Sequence, residues 1–273
     1  LERRNKMNAM IMVLKEQINS LYLIKRLSIY QVKSSNKDNY LGIVWEMLNP
    51  LIQMSIYWFV FGIAIRGGSG VDGVPFVYWL ISGIAVWFFI NPATLQASKS
   101  IYTRLNMISK MSFPMSVIPS YVIMSNFYQH LILIGIVTFI FLVGGQGISI
   151  YYIQLIYYMF AAVMLVFAFS LITSTLSTIV RDVQMIVQSL MRMLLYLTPI
   201  LWTPEKLPHA LQKIMQLNPL CYIVEGYRKS FLGTGWFYED IKYALYFWGI
   251  VFVMLLIGTS IHMKFKKHFV DYL

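Results

Sequence analysis

Six windows of about 20 predominantly apolar residues dominate this sequence, and at ~1.5 Å per residue each is long enough to cross a hydrocarbon layer of ~30 Å. They lie near residues 47–65, 76–97, 117–143, 153–178, 185–202 and 241–263. Inside lipid every backbone N–H and C=O must be paired within the chain, which leaves helices or a closed barrel, and the ten-residue alternation of a membrane barrel is absent. The expected fold is therefore an all-α membrane protein with six transmembrane helices. Composition excludes the soluble alternative: charged residues make up 12% of the chain, where a water-soluble domain carries roughly 25%. With Cys221 as the single cysteine, no disulfide forms within one chain.

The 22 Lys and Arg residues outnumber the 11 acids, and in a membrane protein this excess speaks to orientation and anionic lipid rather than to nucleic acid. Segments 1–46, 98–116, 179–184 and 264–273 hold 15 of the cations, against six in the alternate gaps, with Arg192 inside the fifth window. The positive-inside rule then places both termini of this multi-pass membrane protein in the cytoplasm. Residues 1–46 form a cytoplasmic or interfacial region, 47–263 the transmembrane domain and 264–273 a basic cytoplasmic tail. No cleavable signal peptide is expected at the start, and the lack of an initiator Met is expected of a trimmed chain.

Three connecting regions carry patterns of their own. Residues 7–34 place Met7, Met10, Ile11, Leu14, Ile18, Leu21 and Tyr22 at helical spacing, with Lys15, Lys25, Arg26 and Lys33 mostly elsewhere on the wheel. That is the pattern of an interfacial amphipathic helix, or alternatively of a soluble helix packed on a partner. The segment 98–116 reads as a short cytoplasmic helix presenting Tyr102, Arg104 and Met107 to another protein, or as an ordinary loop. In 203–240, Thr203-Pro204 and Asn218-Pro219 each read as a helix cap followed by proline, and Gly233 and Gly235 as stops. Two short exterior helices are expected near 205–216 and 220–232, as a lid that dips into the membrane or as a surface hairpin.

Catalytic chemistry finds little to stand on. The four histidines show no metal-ligand spacing, no phosphate-binding GxxxxGK[ST] loop is present, and Gly67-Gly68-Ser69-Gly70 matches a protease-like GxSG only formally, between Arg66 and Asp72 in an exterior turn. No metal or cofactor is expected on this chain, so any ATP with its Mg must be bound by a separate subunit. The remaining candidates are polar groups within the apolar windows. Arg192 is expected to face the bundle interior, as a contact for an anionic substrate group or as half of a structural pair. Asn126, Gln129 and His130 cluster over about one helical turn, and interhelical hydrogen bonding is the common explanation for such a cluster.

Several of these segments together resemble one family, the membrane subunits of ABC transporters that export polysaccharides and polyol phosphates across the bacterial cytoplasmic membrane. The resemblance is carried by Leu41-Gly42-Ile43-Val44-Trp45-Glu46-Met47-Leu48-Asn49-Pro50, Phe113-Pro114, Arg181-Asp182-Val183, and Leu217-Asn218-Pro219-Leu220 with Glu225 and Arg228. It implies two copies of this chain forming the pathway above two copies of an ABC ATPase subunit, and an undecaprenyl-diphosphate-linked polymer as substrate. Wall teichoic acid is the expected polymer; O-antigen or capsular polysaccharide, or small lipids and drugs, are alternatives, and a membrane transferase acting on lipid-linked sugars is the alternative of another class. By the same resemblance, Ser98–Met111 with Tyr102, Arg104 and Met107 couples to the ATPase, and residues 7–34 with Lys15, Lys25 and Arg26 form an interfacial gate. Residues 205–232 with Glu225 and Arg228 form the exterior gate, while Arg192, Asn126, Gln129 and His130 line the substrate pathway.

Overall fold

The structure, a computed structural model, describes residues 2–35, 37, 40–42, 44–105, 114–204 and 207–266, with the backbone alone for residues 2–6. Met107, Phe113 and residues 267–273 of the basic tail lie outside the described residues. The helices are α1 (Glu2–Asn19), α2 (Leu21–Ser35), α3 (Val44–Tyr57, continued by a wider π-helical turn over Trp58–Ile65) and α4 (Phe76–Ser98). They are followed by α5 (Val117–Val143), α6 (Gln154–Ile179), α7 (Asp182–Leu197), α8 (His209–Gln216), α9 (Pro219–Leu232) and α10 (Ile241–Phe265). Five of the described helices, Val44–Ile65, Phe76–Ser98, Val117–Val143, Ile150–Ile179 and Ile241–Phe265, are long and apolar enough to cross a membrane.

The sixth crossing follows from contacts rather than from length. Trp248 donates to the Tyr157 hydroxyl at 2.9 Å near the starts of α10 and α6, and Thr175 and His262 share a hydrogen bond of 3.1 Å near their ends. The two helices therefore run in the same direction, so the chain must cross back between them, and α7 makes that crossing. At its start the Gln184 amide donates to the Leu95 carbonyl at 3.1 Å and its oxygen accepts from Ser98, at the last turn of α4. Past its end Thr203 accepts from Arg66, beyond α3, at 2.6 Å.

With 16 residues, about 24 Å long, α7 falls short of a full span. It stops because Pro199 pushes Thr198 into extended backbone (φ −84°, ψ 136°). The non-helical stretch from Thr198 to Leu201 is buried, as irregular backbone at membrane depth must be. Asn218 donates to the Thr198 hydroxyl at 2.9 Å, and Arg228 donates to the Ile200 carbonyl at 3.0 Å.

The amino-terminal region is two helices rather than one, broken at Ser20, and much of its apolar stripe points the opposite way from a soluble helix. Ile11, Ile18, Leu21 and Tyr22 are exposed, while Glu16, Gln17 and the buried Ser28 turn toward the bundle. Gln17 donates to the Ser116 carbonyl at 3.0 Å and accepts from Ser120 at 2.6 Å at the start of α5, and Lys266 at the end of α10 meets Glu16 at 2.6 Å. Val13 and Ile24 are buried in the core with Met10 and Leu27 packed against it, so the two helices dock through these apolar residues and the polar contacts together, while the exposed greasy residues are left for the bilayer. Lys15, Lys25 and Arg26 are exposed on these helices.

In the connecting regions, Tyr102–Arg104 is a single 3-10 turn. The expected cap at Thr203-Pro204 is not used: α8 begins after Pro208, at His209, and Thr203 binds Arg66 instead. Asn218 caps α9 as expected, accepting from the Leu220 N–H at 3.0 Å, and Gly233 ends that helix in the left-handed conformation (φ 69°).

Candidate functional site

Two Asn-Pro pairs sit inside apolar helices, Asn49-Pro50 in α3 and Asn91-Pro92 in α4. Proline cannot donate to the carbonyl four residues back, so the Glu46 and Phe88 carbonyls lose their helical partner. Both residues line a recess of about 310 Å³ between α2, α3, α4 and α5. On α3 the polar wall comes from Glu46, Asn49 and Gln53, at the spacing of one helix face. Asn91 and Gln96 contribute from α4, Gln31 and Ser35 from α2, and Ser125, Asn126, Gln129 and His130 from α5.

The predicted cluster of Asn126, Gln129 and His130 thus comes together, within a larger amide-rich surface. The Asn126 amide donates to Gln96 at 3.1 Å and to the Val122 carbonyl at 2.8 Å, which leaves its buried carbonyl oxygen without a partner among the described residues. His130 shares a hydrogen bond of 2.8 Å with the Tyr227 hydroxyl on α9 and stacks on Phe89 at 5.2 Å, and its buried Nδ1 has no partner among the described residues. Unpaired buried acceptors and donors are costly unless water or a ligand reaches them. Among the described lining residues Glu46 is the one charge, and no Lys or Arg is present. Amides, a carboxylate and freed carbonyls suit hydroxyl groups, whereas a phosphate-rich ligand would find no cation among the described lining residues.

Arg192 is not part of this recess, which corrects the expectation that it faces the bundle interior. It lies on the exposed face of α7, held among the described residues only by long contacts of 3.4 Å to the Gln188 carbonyl and the Ser189 hydroxyl of its own helix. The buried side of α7 is instead Gln184, Val187 and Met191. Tyr102 and Arg104 are half-buried rather than presented outward; Arg104 donates to Gln31 at 3.0 Å, which ties the turn after α4 to the end of α2 beside the recess. Glu225 and Arg228 pair with each other at 3.0 Å, and the buried Arg228 guanidinium lies 3.6 Å over the Trp79 ring. Among the described residues no three His, Cys, Asp or Glu side chains gather as a metal site would need.

The sequence model of the family described as "ABC-2 type transporter" matches residues 22–232. The chain belongs to this family. An ABC-2 permease is a transmembrane subunit that normally works with an ATPase subunit. The chain is 29% identical to the O-antigen export system permease protein RfbA of Klebsiella pneumoniae over 266 residues, which covers 96% of this chain and 100% of that protein. It is 21% identical to the Myxococcus xanthus protein of the same name over 74% of this chain and 76% of the relative. It is also 23% identical to the inner membrane transport permease YadH of Escherichia coli K12 over 70% of this chain and 77% of the relative. As an ABC-2 permease, this chain carries its recess within the matched segment.

Proposed function

We propose that this permease exports a lipid-linked polysaccharide of the O-antigen type, driven by a separate ATPase, from the side of its basic segments to the opposite side. The observation that carries the substrate class is the recess: an amide-lined hollow in a largely apolar bundle, with no Lys or Arg among its described lining residues, matched to sugar hydroxyls. The O-antigen export permeases that align with nearly the whole chain support the same class. A teichoic acid, as a polyol phosphate, carries an anion in each repeat and is served less well by such a lining. In this reading two copies of the chain form the pathway, the basic segments face the cytoplasm, and ATP with Mg is held by the partner subunits. ATP-driven closure of those subunits biases the permease between two open states by differential affinity, the one means by which a ligand shifts an equilibrium.

The test is surface display of polysaccharide in cells that lack their own O-antigen exporter and carry this chain with its ATPase. Polymer reaches the surface, and Gln129→Leu, which keeps side-chain size but removes the amide, lowers the amount several-fold. Absence of polymer from the surface, with small amphiphiles moved in its place, would overturn the assignment.

A further inference from the structure

We propose that the end of the bundle opposite the basic segments carries a second sugar site, which holds a neutral saccharide unit of the polymer as it leaves; this rests on the polysaccharide reading above. The site is a cavity of about 370 Å³ bounded by α4, α6, α8, α9 and α10, within the size range of small-ligand pockets, ~300–1,000 Å³. Its lining mixes two chemistries. Tyr158, Tyr222 and Tyr243 supply the aromatic part, and Gln216 on α8 with Glu225 and Lys229, on the same face of α9 as Tyr222, supplies the polar part. A sugar ring combines the same two, with a C–H face that packs on aromatic rings and a rim of hydroxyls that seeks carboxylate, amide and ammonium partners.

The aromatic part is fixed before any ligand arrives. Tyr158 lies across Gly226 so closely that a Cβ there would come within 2.0 Å of the ring, so α9 carries its glycine where the ring must pass. Tyr222 shares a hydrogen bond of 2.9 Å with Tyr157 and meets Tyr243 edge-on at 5.1 Å. Rings held in this way lose little freedom on binding. Charge argues against an anionic occupant. The Arg228 guanidinium is committed to Trp79, Glu225 and the Ile200 carbonyl, so among the described lining residues an anion meets Lys229 alone, beside the carboxylates of Asp72, Glu225 and Asp240. A cation is the rival occupant, because three carboxylates face one ammonium, but it finds the Trp79 face already covered by Arg228.

The experiment titrates the permease–ATPase complex in lipid nanodiscs with soluble oligosaccharides cut from the exported polymer, read by calorimetry, with tetraphenylphosphonium as the cationic comparison. The wild type binds the oligosaccharide and not the cation, and Gln216→Leu and Lys229→Met, made singly, each weaken binding about tenfold at an unchanged melting temperature. Absence of oligosaccharide binding, affinity unmoved by either substitution, or tetraphenylphosphonium binding sensitive to the same changes would overturn the second site. Export is scored in the cells that supply the protein. Cells that display no polymer overturn the polysaccharide reading itself, whereas display with binding unmoved overturns the second site alone.

Discussion

At the scale of single residues, Gly83 and Arg228 show how tightly the end of the bundle opposite the basic segments is specified. A Cβ at Gly83 would sit 2.8 Å from the Arg228 guanidinium, so Gly83→Ala displaces the cation from Trp79 and from the Ile200 carbonyl. Leaving that buried carbonyl unpaired costs about 1–3 kcal/mol, and the expected outcome is a lower unfolding midpoint of the purified permease together with reduced export. Midpoint and export both equal to wild type would show that Arg228 is not held as described.

Arg192 makes a contrasting case. Among the described residues its only hydrogen bonds are long ones within its own helix, so Arg192→Ala leaves the melting temperature unchanged, while export falls if the open face of α7 borders the pathway. Equal export in mutant and wild type removes Arg192 from the pathway. The error in its placement is instructive. The insertion penalty demands a protected position, but Gln188, Ser189 and Arg192 share a face that one copy of the chain leaves uncovered. By contrast Asn126, Gln129 and His130 were legible from spacing alone. Glu46 and Asn49 entered only within the segment that carries the family resemblance, and Gln53, Asn91 and Gln96 were not singled out. The signal that finds them is Asn-Pro within two such windows, with Glu46, Asn49 and Gln53 spaced for one face.

Helices were read with the greatest ease where apolar length alone decides. The starts and ends of α4, α5 and α10 fall close to the windows at 76–97, 117–143 and 241–263, because in lipid the hydrophobic stretch and the hydrogen-bonded stretch coincide. The fifth window was harder. Hydropathy runs on through Pro199 to Trp202, but the helix ends at Leu197, since proline stops a helix without making it less apolar. The facing of α1 and α2 was not legible either, since a wheel shows which side is greasy but not whether protein or lipid lies beside it.

The docking of α1 has a pH signature. Burial alone would raise the Glu16 carboxyl, but hydrogen bonds from Lys266 and Ser116, with the Lys266 charge, outweigh it and hold the group below its ordinary value of 4.5. A carboxyl depressed in the folded state stabilises above its unfolded pKa and loses that contribution as pH falls through the folded one. For this partly exposed pair the contribution is on the order of 1 kcal/mol. The protection factor of the α1 amides, which removes the intrinsic pH dependence of exchange, should therefore be high at neutral pH and fall below about pH 4.5, with Glu16→Gln less protected at neutral pH already. A profile flat with pH in the wild type would contradict the latch.

At the scale of the whole molecule, five long helices and one short one give six crossings, and two polar hollows sit toward opposite ends of an apolar bundle. The recess lies toward the end that holds α2, the close of α4 and the start of α3, and the aromatic cavity lies toward the end that holds α8 and α9. The number of spans, their order and the all-helical class follow from apolar length, which is why they were visible in the sequence. The hollows were not, because each is assembled from four or five helices and no local pattern records which helix lies beside which.

That arrangement suits a conduit for a hydroxyl-rich chain with its energy supplied from another subunit. The measurement that bears on it most directly is ATP-driven transfer of a lipid-linked O-antigen-type polysaccharide across proteoliposomes that contain this permease and its ATPase. The account predicts transfer that requires ATP and drops about tenfold when Asn126 and Gln129 are both replaced by leucine. Polymer that stays on its original side while ATP is consumed, or transfer indifferent to the loss of both amides, would contradict it.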